Sequence, residues 1–205
     1  MNLLLIFIIV FIVDYILGSI PFAVIVAKMY GVDILKEGSG NPGATNVKRV
    51  IGKKAGNAVF ILDFLKGLIA TVWPLIFINL GEWNFYLAIV GLIAAILGHS
   101  FSVFLKFRGG KGIATTMGGI LILMPWALLI GVILWVVVFY LTRYVSLASV
   151  VFGLSLPVST ILLNENKGVI MFSGILALLI AIRHVSNIKR LLKGKENRFS
   201  KKSKH

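Results

Sequence analysis

The chain contains no cysteine. That absence excludes disulfides, thiolate zinc sites and a cysteine nucleophile, while saying nothing of compartment by itself. Charge is scarce: only 14% of the 205 residues are Asp, Glu, Lys or Arg, against about a quarter in soluble domains. Acidic residues are scarcer still, seven against 21 basic ones, and no carboxylate cluster suggests a metal. Neither His99 nor His184 has an Asp five positions further on, so a His-x4-Asp general-base dyad is missing. No GxxxxGK[ST] run follows a strand pattern, which excludes a Walker P-loop.

What is present is apolar. Hydrophobic residues make up 59% of the chain and mean hydropathy is +0.99, so the composition is that of an all-α polytopic integral membrane protein. The run from Leu3 to Met29 is too long for a signal peptide and has no basic flank before it, so it reads as a retained first span. Further apolar runs lie near 57–80, 84–105, 112–124, 126–142, 145–163 and 168–183. The fourth and fifth are short and parted mainly by Pro125, as in a broken hairpin or a re-entrant pair. About seven transmembrane helices is the expected count and five the alternative.

With seven spans, the segments 28–56, 106–111, 143 and 183–205 share one face and hold 19 of the 21 Lys and Arg residues. The positive-inside rule makes that face cytoplasmic, with the N-terminus outside and the C-terminus cytoplasmic. The net charge of +14 is thereby assigned to topology and anionic lipid rather than nucleic acid. Residues 1–205 read as a single transmembrane domain. Its motif loops are 38–49, 98–115, 143–149 and 183–198, and a basic, solvated or lipid-facing tail runs from Lys189 to His205.

Gly38 to Arg49 reads GSGNPGATNVKR, a density of Gly, Asn and Pro that specifies a loop. Ser39, Asn41, Thr45 and Asn46 are polar side chains there, Gly43 permits close approach, and Arg49 is a planar fork suited to phosphate. The stretch 98–115 reads GHSFSVFLKFRGGKGIAT. Arg108, Gly109, Gly110, Lys111 and Gly112 place two cations around approachable backbone directly before a helix, a pattern that favours anions. His184 and Asn187, three apart, share a helical face if the last span continues. His99, alone at a span end, is read as an interfacial hydrogen-bonding residue. Asp14 is a charge within the first span without an evident partner, while Asp63 and Lys66 are expected to pair. Gly18-Ser19-Ile20-Pro21 is expected to kink the first span.

GSIPF (18–22), GSGNPGATNVKR (38–49), GHSFSVFLKFRGGKGIAT (98–115), RYVSLAS (143–149) and HVSNIKRLLKGKE (184–196) together resemble the bacterial acyl-phosphate-dependent glycerol-3-phosphate acyltransferases, the PlsY family. The similarity runs through nearly the whole chain in the family's order. It implies a multi-pass enzyme of the bacterial inner membrane that moves an acyl group from acyl phosphate to the 1-hydroxyl of glycerol 3-phosphate. The products are lysophosphatidic acid and inorganic phosphate, the first step of phospholipid synthesis, with no cofactor. The implied catalytic residues are Ser39, Arg49, Lys111, His184 and Asn187. The implied substrate-binding residues are Asn41, Gly43, Thr45, Asn46, Arg108, Gly109, Gly110, Gly112, Ser149 and Glu196. The family associates the second motif with glycerol 3-phosphate, although which loop holds which phosphate stays open.

Two phosphate-bearing reactants call for two anion cradles at one membrane face, and the sequence supplies two glycine-rich loops. Direct transfer follows from the lack of a nucleophile dyad, with Ser39 arguable as an acyl carrier and either His184 or a departing phosphate oxygen as proton acceptor. The partners expected are glycerol 3-phosphate, acyl phosphate and membrane lipid. A transporter of phosphate or a phosphorylated solute is the alternative, since carriers also bind anions at broken helices.

Overall fold

The computed structural model describes residues 2–199, so the end of the basic tail, from Ser200, lies outside the described residues. Among the described residues there is no strand. The chain divides into two compact units, residues 1–123 and 124–205.

The first unit holds α1 (Leu3–Ser19), α2 (Phe22–Met29), α3 (Ala44–Val50), α4 (Lys53–Phe77), α5 (Asn84–Ser100) and α6 (Ile113–Leu123), with single 3-10 turns before and after α5. α1 and α2 are one apolar segment interrupted where expected. Pro21 has no N–H to continue the ladder, and Ile20 turns into extended backbone between the helices. α1 packs on α5 and α4 packs on both α5 and α6. Small residues let these backbones approach. A Cβ at Gly18 would strike the Ala95 carbonyl, one at Gly98 the Tyr15 carbonyl, one at Gly67 the Thr115 carbonyl and one at Gly118 the Phe64 carbonyl. Lipid tails are as apolar as leucine, so helices in a bilayer associate through such close contact and through hydrogen bonds rather than through the hydrophobic effect. Asp14 is fully buried among them and accepts a hydrogen bond from the Trp73 indole at 2.7 Å, which supplies the partner its sequence position did not reveal.

The second unit holds α7 (Pro125–Thr142), α8 (Val145–Leu162) and α9 (Lys167–Leu192), with α8 packed on both α7 and α9. Met124 separates α7 from α6, and Pro125 opens the first turn of α7, where its missing N–H costs nothing. Arg198 and Phe199, beyond the end of α9, fold back onto the α7–α8 turn. Phe199 N–H donates to the Arg143 carbonyl at 2.9 Å and Arg198 Nε to the Thr142 carbonyl at 3.3 Å, so residues 196–199 are anchored rather than a plain solvated tail.

Among the described residues, six helical segments are long and apolar enough to cross a membrane: Leu3–Met29, Lys53–Phe77, Gly81–Leu105, Pro125–Thr142, Val145–Leu162 and Lys167–Leu192. Their outer faces carry large apolar side chains, with Phe77, Leu141 and Leu162 at 78%, 76% and 74% exposure, as lipid-facing surface requires. The 11-residue α6 is shorter, spanning about 16 Å at 1.5 Å per residue.

Candidate active site

The first motif folds into a loop leading into α3. Gly38 and Gly40 take left-handed backbone (φ +60° and +68°), which L side chains rarely adopt. Asn46, 1% exposed on α3, ties the loop together. Its Oδ1 accepts from the Ser39 N–H at 2.9 Å, and its Nδ2 donates to the carbonyls of Glu37 at 2.9 Å and Ile34 at 3.3 Å. The Asn46 side chain thus organises loop backbone. Ser39 is exposed on this loop, Asn41, Gly43 and Thr45 are half-buried, and Arg49 stands half-buried in the last turn of α3.

The second motif closes against the end of α5. Gly110 N–H donates to the His99 carbonyl at 3.0 Å. A Cβ at Gly109 would strike that same carbonyl, and one at Gly110 would strike the His99 ring. Arg108 is exposed and Lys111 half-buried, while Gly112 has φ +78° and leads directly into α6, as the sequence predicts. Upstream, Ser102 Oγ donates to the Ser19 carbonyl at 2.6 Å and Tyr15 Oη to the Phe101 carbonyl at 2.7 Å, binding this motif to the break between α1 and α2.

These attachments bring three motifs to one cleft. Its walls come from the first-span break (Ser19–Ala23), from Pro42 of the first loop, from His99, Ser102, Leu105 and Gly110 of the second motif, and from Asp63 of α4. Asp63 Oδ1 lies 2.9 Å from Lys66 Nζ, the pair the sequence leads one to expect. Lys66 also donates to the Ile20 carbonyl at 3.1 Å, an oxygen released from the helical ladder by the break. His99 Nδ1 stands 3.4 Å from the same Asp63 oxygen. His99 is therefore a buried member of an Asp63–Lys66 network. The sequence reading missed this, because the partners lie 33 and 36 residues away on another helix. The only sequence signal was the presence of two charges within one apolar span.

The second unit gathers the remaining motif residues. His184 and Asn187 are 2% and 4% exposed on the continuous α9. His184 Nδ1 faces the Ile180 carbonyl at 2.8 Å, which fixes the ring. Ser149 Oγ donates to the Val145 carbonyl at 2.8 Å and accepts from the Trp135 indole at 3.3 Å. Glu196 receives Asn187 Nδ2 at 2.7 Å, Ser146 Oγ at 3.0 Å and Arg190 Nε at 2.8 Å. Burial alone would raise its pKa, but these donors outweigh it and hold the carboxyl below the ordinary glutamate value. With three donors committed to it, Glu196 anchors Asn187 and Arg190. Among the described residues, no group of three or more His, Asp or Glu could hold a metal ion.

Helices apolar enough to cross a membrane, with two glycine-rich loops brought to one cleft, define a polytopic integral membrane protein. The family model described as glycerol-3-phosphate acyltransferase matches residues 8–194. The chain is 45% identical over 189 residues to a glycerol-3-phosphate acyltransferase of Endomicrobium trichonymphae, covering 92% of this chain and 93% of that one. It is 42% identical over 185 residues to the Aquifex aeolicus (strain VF5) protein of the same name, covering 90% and 95%. The crystal structure of PlsY, an integral membrane glycerol 3-phosphate acyltransferase, in its glycerol 3-phosphate form superimposes with a TM-score of 0.86 at 39% identity, over 95% of this chain and 96% of that one. Its lysophosphatidic acid form gives a TM-score of 0.84 at 39% identity, over 95% of each chain. The chain belongs to the glycerol-3-phosphate acyltransferase family and is a membrane acyltransferase.

Proposed function

We propose that this enzyme transfers a fatty acyl group from acyl phosphate to the 1-hydroxyl of glycerol 3-phosphate at the cytoplasmic face of a bacterial inner membrane. The observation that supports this reading is that the first-span break, the GSGNPGATNVKR loop and the RGGKG loop all line one cleft. Two phosphates need two sets of backbone and cationic donors within reach of each other, and a single glycine loop would serve one. The relatives named above are glycerol-3-phosphate acyltransferases, and the solved ones are glycerol 3-phosphate and lysophosphatidic acid forms.

In the reaction the 1-hydroxyl oxygen attacks the acyl carbonyl carbon. A carbon–oxygen bond forms, the bond from that carbon to the phosphate oxygen breaks, and the hydroxyl proton leaves with the departing phosphate. The anhydride is already activated, so the protein's task is to position the hydroxyl and balance negative charge. A cation about 4 Å from an oxyanion contributes roughly 4 kcal/mol at an effective dielectric near 20, before desolvation. Arg49 and Lys111 carry that role, with the Arg108–Gly112 loop as the glycerol 3-phosphate cradle. Asn41, Gly43 and Thr45 border the other phosphate, and Asn46 shapes that loop. Ser149, His184 and Asn187 act as hydrogen-bonding groups for the reactants, with Glu196 fixing Asn187.

The test is purified protein given synthetic acyl phosphate and glycerol 3-phosphate, followed by phosphate release and lysophosphatidic acid formation. Acyl phosphate should support turnover and acyl-CoA should not, since the reading assigns a phosphate cradle to the donor and no site to a nucleotide tail. Equal rates with acyl-CoA would refute that assignment.

A further inference from the structure

Lys66, Asp63 and His99 form a buried chain that ends against the glycine loop, and nothing in the acyl-transfer chemistry above uses it. Asp63 is held in place by Lys66 at 2.9 Å, and Lys66 in turn by the Ile20 carbonyl at 3.1 Å. The Lys66 end of this chain is thus tied to the first-span break. On its other side, the Asp63 carboxylate faces His99 Nδ1 at 3.4 Å, which fixes the imidazole's rotation. The opposite edge of that ring lies under Gly110: the three atoms nearest to a Cβ placed there are His99 Nε2, Cε1 and Cδ2. The His99 carbonyl also receives the Gly110 N–H. Side chain and backbone of one residue therefore support the loop from below, and Asp63 decides the angle at which the side chain does so.

We infer that His99, oriented by Asp63 and Lys66, is a positioning residue that sets the height of the Gly109–Gly110 backbone, and so of Lys111, for the phosphate of glycerol 3-phosphate. This rests on the reading of the Arg108–Gly112 loop as the glycerol 3-phosphate cradle. A loop carried on a rigid ring presents its N–H groups and the adjacent lysine at a fixed distance from the ligand, and displacements of about 1 Å in such groups can cost up to a hundredfold in rate. It also explains why glycine is required at 110, whose φ lies outside the left-handed region: the space a methyl would take is already filled by imidazole.

Steady-state kinetics on His99→Ala, Gly110→Ala and the double variant test this. Each single variant should raise KM for glycerol 3-phosphate about tenfold while leaving KM for acyl phosphate within about twofold, because only one cradle is displaced. A ring that is merely structural would move both constants, or lower the yield of folded protein, without selecting one substrate. In the double variant the added methyl occupies the space of the missing ring, so its KM should be no higher than that of Gly110→Ala. Multiplied losses in the double variant, or equal shifts in the two KM values, would overturn the inference. His99→Asn keeps an N–H donor at the place of Nδ1 for Asp63. It carries the measurement if His99→Ala does not elute as wild type on gel filtration, with about a threefold rise expected and an unchanged KM counting against the inference. A wild type that forms no lysophosphatidic acid would remove the functional reading and this inference together. An active wild type with unshifted variants would remove the inference alone.

Discussion

Arg49 closes the first motif from the last turn of α3, half-buried rather than extended into solvent. If its charge served topology alone, Arg49→Lys would preserve function. A phosphate clamp depends on the planar fork, which an ammonium cannot reproduce. A charge-assisted hydrogen bond contributes about 1.5–3 kcal/mol, so kcat/KM of Arg49→Lys should fall roughly ten- to hundredfold at matched protein amount and membrane insertion. Glu196 makes a prediction of a different kind. Its pKa is lower in the folded protein than in the unfolded chain, so the stabilisation it supplies is present above the unfolded value and is lost as pH falls through the folded one. Glu196→Gln should lower the melting temperature of the detergent-solubilised protein at pH 7. The gap to wild type should begin to close as the pH falls below the ordinary glutamate value of about 4.3 and vanish only once the pH lies below the lowered folded value, where the wild-type carboxyl is protonated as well. A gap that persists unchanged at acid pH would show that shape, not charge, holds Asn187 and Arg190.

At the scale of elements, the helices packed through glycine are the sensitive ones. Gly67 of α4 and Gly118 of α6 each face a carbonyl of the other helix, so neither position has room for a methyl. Gly118→Ala should force α4 and α6 apart at an overpacking cost of about 1–3 kcal/mol, read as a lower melting temperature. Because α6 begins at the residue after Gly112, the same change should also reduce activity. The helices themselves were legible in the sequence, since apolar runs of about 20 residues permit little else in a membrane. The break at Pro21 and the start of α6 after the glycine loop were legible too, because proline and glycine act on local backbone alone. Asp63 and Lys66 could be paired from their spacing. What spacing could not supply were contacts between helices: the Trp73 partner of Asp14, the place of His99 against Asp63, and the return of Arg198 and Phe199 to the α7–α8 turn. Such pairings depend on helix rotation and depth, which no local pattern encodes. The first two motif loops were visible as polar interruptions, whereas 145–149 and 183–192 of the other two expected loops lie within α8 and α9, and that Asn46 serves loop backbone with all its amide groups could be seen only once the loop had a shape.

For the whole molecule, length and charge bear in opposite directions on whether α6 crosses the membrane. Its 11 residues reach about 16 Å, against a hydrocarbon core of about 30 Å, so alone it is too short. Packing against α4 and a locally buried end could allow it to cross with its neighbours, as short helices do inside bundles. Charge gives the sharper argument. Of the 11 Lys and Arg residues after Gly112, ten lie at Arg143 or from Arg183 onward, and only Lys167 lies at the opposite end of α9, as its first residue. If α6 crosses, those ten share a face with the loops around Ser39 and Lys111, as the positive-inside rule favours. If it does not, they are placed opposite, and the rule is broken in the second unit. The charge distribution therefore predicts seven crossings. The cysteine-free chain allows a direct check with single cysteines at Ser39, Glu82, Asn164 and Lys195, all at exposed positions. In sealed vesicles of known orientation, an impermeant thiol reagent should label Ser39→Cys and Lys195→Cys from one side, and Glu82→Cys and Asn164→Cys from the other. A non-crossing α6 exchanges the last two positions of the chain: Asn164→Cys would then label with Ser39→Cys, and Lys195→Cys with Glu82→Cys. That exchange would reduce the count to six and place the start of α7 on the face that carries both glycine loops.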